Sequence, residues 1–205
     1  MASTRRRRDA LLPYVALGDS YTIGTAVSVP DRFPDRLVLA VPRLELVANL
    51  GVNGSTSADV IRDALPAFDA LDASFVTLLV GVNDVVQGVP RSRYEANITA
   101  ILEWLLRPLP ADRIVTVAIP DYTVTPRGAD YGDPRLQHDA IAENNAIMAG
   151  VSGALGIAFV DIFDLSLRAA TDRSLVADDG LHPSGAQYAL WVERIAPVVE
   201  GLLGR

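Results

Sequence analysis

The 205-residue chain contains no cysteine, and only two of its residues are histidine. Without thiols there are no disulfide frameworks, thiolate nucleophiles, Fe–S clusters or thiolate zinc sites. A thiol-free chain suits oxidising and reducing compartments equally. Lysine is also missing: all 18 basic residues are arginine, against 25 acidic ones, for a net charge of −7. That balance excludes the basic stripe a nucleic-acid partner would require. No apolar run reaches the roughly 18 residues that cross a bilayer, so integral membrane association is not expected. Walker A, Gly-x-Gly-x-x-Gly and His-Glu-x-x-His patterns are all absent, and no cofactor or metal is expected. If imidazole does chemistry here, the candidates are His138 and His182.

Half of the residues are hydrophobic and 21% are charged, a globular composition. There is no internal repeat and no Gly/Ser/Pro-rich linker, and the length suits one domain at roughly 100–200 residues per domain. Residues 1–12, with Arg5 to Arg8, read as a flexible basic tail ahead of a single domain over 13–205. An export signal needs a longer apolar stretch than Leu11–Leu17, which Pro13 interrupts and which leads directly into Gly18-Asp19-Ser20. The expected location is therefore the cytoplasm.

Five short apolar runs recur: Tyr14–Leu17, Leu44–Asn49, Phe75–Val80, Ile114–Ile119 and Ile157–Phe163. They are nearly continuous rather than alternating, as parallel strands covered on both faces should be. Helical spacing separates them. Tyr94, Ile98, Ile101, Leu102 and Leu105 share one face, with Ser92 and Glu95 placed as a capping box. Leu136, Ala140, Ile147, Met148 and Val151 mark another helix, and Trp191, Ile195, Val198, Val199 and Leu202 a last one, N-capped by Ser184. Shorter helices are expected over 35–40 and 58–65. Strands alternating with helices predict a three-layer α/β/α sandwich with right-handed crossovers.

Open parallel sheets place their sites beyond the carboxyl ends of the strands. There the chain puts Gly18-Asp19-Ser20, Gly51-Val52-Asn53-Gly54, Gly81-Val82-Asn83-Asp84 and Asp179-Gly180-Leu181-His182. A serine hydroxyl attacks only when a base takes its proton. Ser20 is the candidate nucleophile and His182 the candidate base. Asp179, three residues upstream, is placed to orient the ring, with Asp178 as the neighbouring alternative. Donors for an oxyanion are available at the Ser20 N–H, the Gly51 N–H and the Asn83 amide. Asp19 and Asp84 read as turn-holding residues, and His138 as an exposed helix residue. The segment 121–134 is too long for an idle connection and is a candidate lid or specificity wall.

In these four blocks the chain resembles the SGNH hydrolases, the GDSL-type esterases and lipases. Ser20, Gly51, Asn83 and His182 look like the family's four markers, in the family's order, and the resemblance spans about residues 13–203. Tyr21 stands where the family nickname has Leu, and Asn53 where Ser is expected. The resemblance implies a flavodoxin-like five-stranded parallel sheet in the order 2-1-3-4-5. It also implies cofactor-independent hydrolysis of carboxylic esters through an acyl-enzyme. The acidic balance and the lack of an evident amphipathic lid helix favour a small soluble acyl ester as partner over packed lipid. The alternatives are an acyltransferase, or a carbohydrate or lysophospholipid deacylase, using the same residues. A flavodoxin-like binding module without chemistry is the rival from another class.

Overall fold

The computed structural model describes residues 11–204. The Arg5–Arg8 run, and with it nearly all of the expected tail, lies outside them. The elements in chain order are β1 (Leu12–Gly18), α1 (Ser20–Ile23), α2 (Phe33–Ala40), β2 (Leu44–Gly51), α3 (Ser57–Asp59), α4 (Leu65–Asp69), β3 (Phe75–Leu79), α5 (Val82–Val86), α6 (Arg91–Leu105), β4 (Ile114–Val117), α7 (Pro134–Ala154), β5 (Ala158–Val160), α8 (Phe163–Leu167) and α9 (Gly185–Leu203). The five strands form one parallel sheet in the order β2-β1-β3-β4-β5. Helices α2 and α9 pack together on one face, and α6 and α7 on the other. This is the expected three-layer, flavodoxin-like sandwich.

The patterning explains the layers. Val15, Ala16 and Leu17 of β1, and Val76, Leu78 and Leu79 of β3, are completely buried because helices cover both faces. Each such Val or Leu contributes roughly 1.5–3 kcal/mol by leaving water. Trp191, Tyr188 and Phe33 cluster between α2 and α9, with ring centroids 4.9–6.3 Å apart. β2 departs from the continuous burial expected of it. As an edge strand it leaves Glu45 and Val47 exposed.

Four local expectations need correction. The Ser92–Glu95 capping box does not form: α6 starts at Arg91 behind Pro90, with no side-chain cap. β4 ends at Val117 because the Asn145 side chain takes over the backbone of Ile119, accepting its N–H at 2.7 Å and donating to its carbonyl at 2.9 Å. β5 spans only Ala158–Val160, since Asp161 turns the chain by accepting the Phe163 N–H at 2.9 Å. The helix expected over 58–65 runs from α3 into α4 through a π-helical turn, Val60–Ala64, just ahead of Pro66, which has no N–H to give. Ser184 does cap α9, accepting the Gln187 N–H at 3.3 Å. Among the described residues, no helix is long and apolar enough to cross a membrane.

Candidate active site

β1 delivers the chain to Ser20 through a tight turn. A Cβ on Gly18 would lie 2.1 Å from the Leu79 carbonyl oxygen, so only glycine lets β1 end there. Asp19 then N-caps α1 by accepting the Tyr21 N–H at 3.0 Å, and Ser20 is the first residue of that short helix. Its back is fixed from two sides. Asn49 of β2 donates to the Thr22 carbonyl at 2.8 Å, and the Tyr188 hydroxyl of α9 donates to the Tyr21 carbonyl at 2.9 Å. The Ser20 N–H finds no acceptor among the described residues.

His182 comes from the segment ahead of α9, which folds back on itself. The Ala177 N–H donates to the His182 carbonyl at 2.8 Å, and Gly180 turns the chain with φ of 74°. Asp179 Oδ2 lies 2.5 Å from His182 Nδ1, while its Oδ1 accepts the Leu181 and His182 N–H groups at 2.9 and 3.0 Å. Partial burial opposes its charge, but the His182 ring and these two N–H groups outweigh that and hold the carboxyl below its usual value. Asp178 is exposed and makes no bond to the ring, so of the two it is Asp179 that meets the imidazole. The Tyr21 ring meets the His182 ring edge-on at 5.9 Å.

Ser20 and His182 line one cleft of about 300 Å³, together with Asn83, Gly54, Tyr122 and Leu181. No hydrogen bond joins the Ser20 hydroxyl to the imidazole in this structure. The Asn83 amide donates one hydrogen to the Ser55 carbonyl at 2.9 Å, which sets its plane and leaves the second hydrogen for the cleft. Behind it, Asp84 is buried and accepts from Ser57 N–H and Oγ, the latter also receiving the Asn97 amide at 2.9 Å.

Gly51 is not where its expected role requires it. It does not line the cleft, and its N–H donates to Asn49 Oδ1 at 3.0 Å. Its glycine identity serves packing, since a Cβ there would sit 2.4 Å from the Ile23 nitrogen and 2.8 Å from the Asp19 carbonyl oxygen. The glycine that reaches the cleft is Gly54, three residues on, with φ of 80° and an N–H that finds no acceptor among the described residues. Its signal in the sequence was the Asn53-Gly54 pair, a favoured turn dipeptide.

The segment between β4 and α7 is tied to its neighbours by hydrogen bonds. The Asp121 N–H donates to Ser166 Oγ at 2.8 Å, and the Arg127 N–H donates to the Gly180 carbonyl at 3.0 Å, inside the turn that carries His182. Tyr122 donates to Gln137 at 2.7 Å, and Tyr131 packs edge-on against it at 5.6 Å. Both tyrosines face the cleft. His138 lies on a helix, α7, as expected, but it is only partly exposed: its Nδ1 lies 2.6 Å from Oδ2 of the buried Asp121. Among the described residues there is no group of three metal-ligating side chains.

The structure resembles a member of the lipolytic G-D-S-L family from Veillonella parvula, with a TM-score of 0.73 at 16% identity, over 92% of this chain and 98% of that one. It is similar to an acetyl xylan esterase from Geobacillus stearothermophilus (0.72, 17%, 94% and 96%) and to the psychrotrophic esterase EstA from Pseudoalteromonas sp. (0.69, 16%, 94% and 99%). At these identities the likeness concerns the fold. No curated protein matches the chain in sequence. The profile of one family does match, over residues 16–190, so the chain belongs to the GDSL-like lipase/acylhydrolase family.

Proposed function

We propose that the protein is a cofactor-independent serine hydrolase of small carboxylic esters. His182 takes the Ser20 proton through Nε2 as the hydroxyl attacks the ester carbonyl, while Asp179 fixes the tautomer by accepting from Nδ1. The oxyanion is received by the Ser20 N–H, the free hydrogen of the Asn83 amide and the Gly54 N–H, which takes the place first expected of Gly51. Collapse of the tetrahedral intermediate leaves an acyl-enzyme, and His182 protonates the leaving alcohol. A water molecule, activated by the same imidazole, then releases the acid.

The observation that carries this reading is the meeting of Ser20 with the Asp179-bonded His182 in one cleft at the carboxyl edge of the sheet. Val82, Val86 and Leu181 add apolar surface beside the serine. The cleft is small, which favours short acyl groups over packed lipid chains.

The test is hydrolysis of p-nitrophenyl acetate, butyrate, octanoate and palmitate by the purified protein beside a folded Ser20→Ala variant. Activity falling with chain length and absent in the variant is expected. The Pseudoalteromonas esterase was crystallised inhibited by monoethylphosphonate, and a phosphonate probe should likewise label Ser20 here. A folded protein that neither turns over esters nor takes the probe would overturn the reading.

A further inference from the structure

Asp19, the middle residue of the Gly18-Asp19-Ser20 turn, is completely buried. Its Oδ1 accepts the Tyr21 N–H, and its Oδ2 is enclosed with no hydrogen-bond partner. The titratable groups facing it are Asp84 from α5, Tyr94 from α6, Tyr21 from α1 and Tyr188 from α9. None of these brings a positive charge, and no arginine or histidine pairs with Asp19 among the described residues. Asp84 is just as buried but differently served, since both of its oxygens accept from Ser57. Two neighbouring buried carboxyls resist ionising together. Asp84 has a hydroxyl as well as an N–H donating to it, whereas Asp19 has only backbone N–H groups around it, those of Tyr21, Gly81 and its own residue.

We propose that Asp19 is a positioning residue that works as a neutral carboxylic acid: protonated, it fixes the turn carrying Ser20, and as a carboxylate it opposes formation of the oxyanion. Burial pushes its carboxyl up to about 8, with the backbone N–H groups of Tyr21, Gly81 and Asp19 itself working against this and the Asp84 charge adding to it. A protonated carboxyl still accepts the Tyr21 N–H through its carbonyl oxygen, so the cap on α1 is kept. A carboxylate would place negative charge one residue from the Ser20 N–H, with no water to screen it. Transition-state charge held in such a site is sensitive to any fixed charge nearby.

The inference rests on Ser20 as the nucleophile, and the experiment separates the two. kcat/KM for p-nitrophenyl acetate is measured from pH 6 to 10 for the native enzyme and Asp19→Asn, and read as the ratio of pH 9.5 to pH 7 within each. The native ratio should drop about tenfold, and the variant, whose amide cannot ionise, should stay level. A 13C carboxyl titration of the native protein reads the Asp19 proton directly, and its midpoint should fall near 8.

Thermal unfolding adds a readout without turnover. The carboxyl ionises near 3.9 when unfolded and near 8 when folded, so unfolding releases a proton between those values. Native stability relative to Asp19→Asn should therefore fall as pH rises through that window, and the gap should stop widening above it. A parallel alkaline fall in both enzymes, or a titration midpoint below 6, overturns the inference and leaves the site reading intact. Absence of any Ser20-dependent turnover, with a midpoint near 8, overturns the site reading instead, and the catalytic part of the inference with it.

Discussion

The protein holds two histidine–aspartate pairs of nearly the same geometry. Nδ1 to Oδ2 is 2.5 Å for His182–Asp179 and 2.6 Å for His138–Asp121. Their surroundings are reversed. In the first pair the imidazole is 14% exposed and the carboxylate 28%; in the second the carboxylate is fully covered and the imidazole 40% exposed. His182 shares a cleft with Ser20, whereas His138 packs its ring against Phe163 at 5.4 Å. A carboxylate-bonded imidazole is thus not a catalytic signature by itself. What distinguishes His182 is the Ser20 hydroxyl in the same cleft, which His138 lacks. The His138 pair has the geometry of a strut, closing off a buried carboxylate at the root of the wall.

Substitution should separate the two pairs sharply. Ser20→Ala and His182→Ala are each expected to lower kcat/KM for a p-nitrophenyl ester by at least about 10³-fold. His138→Ala should stay within a few-fold of native. Equal losses from the two histidines would erase the distinction. The aspartates sharpen it. Asp179→Asn leaves the ring without an acceptor for its Nδ1–H and should cost about 10³–10⁴ in kcat, with little change in Tm. Asp121→Asn should do the reverse. Weakening a buried, charge-assisted hydrogen bond costs about 2 kcal/mol, a fall of roughly 4–8 °C in Tm for a chain of this size, with turnover largely kept. Calorimetry beside initial rates on the same preparations decides both.

The two glycines after β2 make a smaller contrast of the same kind. Gly51→Ala drives a methyl group into the backbone of α1, and should lower Tm by several degrees and disturb Ser20 with it. Gly54→Ala meets open space but must hold φ of 80°, a strain on the order of 1 kcal/mol. It should fold, with kcat rather than KM reduced, because only the aim of one N–H changes. A larger Tm loss at Gly54 than at Gly51 would contradict both assignments.

Chain pattern revealed most of this architecture and failed where side chains replaced backbone partners. The strand runs of β1 and β3 are continuous because both faces are covered, and periodicity reads that directly. The ends of β4 and β5 were misjudged because Asn145 and Asp161 end them by hydrogen bonds that hydrophobicity does not encode. In the candidate cleft, Ser20 and Asn83 follow from their places at strand ends, and Asp179 and His182 from their spacing in the segment ahead of α9. Gly51 and Gly54 share one short turn, and spacing cannot say which N–H the strand end consumes. The Asp121–His138 pair spans 17 residues and two elements. It becomes visible only when α7 is docked against β4.

The wall between β4 and α7 tests how far pinning extends into function. A mobile lid would expose its tip to solvent and contact the catalytic turn only when closed. Here the Arg127 N–H donates to the Gly180 carbonyl, and the Tyr122 hydroxyl donates to Gln137. Tyr131 is the less constrained partner, 37% exposed at the rim. Tyr131→Ala should therefore act on binding alone, raising KM about two- to fivefold for aryl esters and less for ethyl esters, which offer no ring to contact. A pinned wall leaves kcat unchanged in that variant, because nothing has to close before chemistry. A lid would instead carry the loss into kcat, together with a dependence on solvent viscosity that the native enzyme should lack.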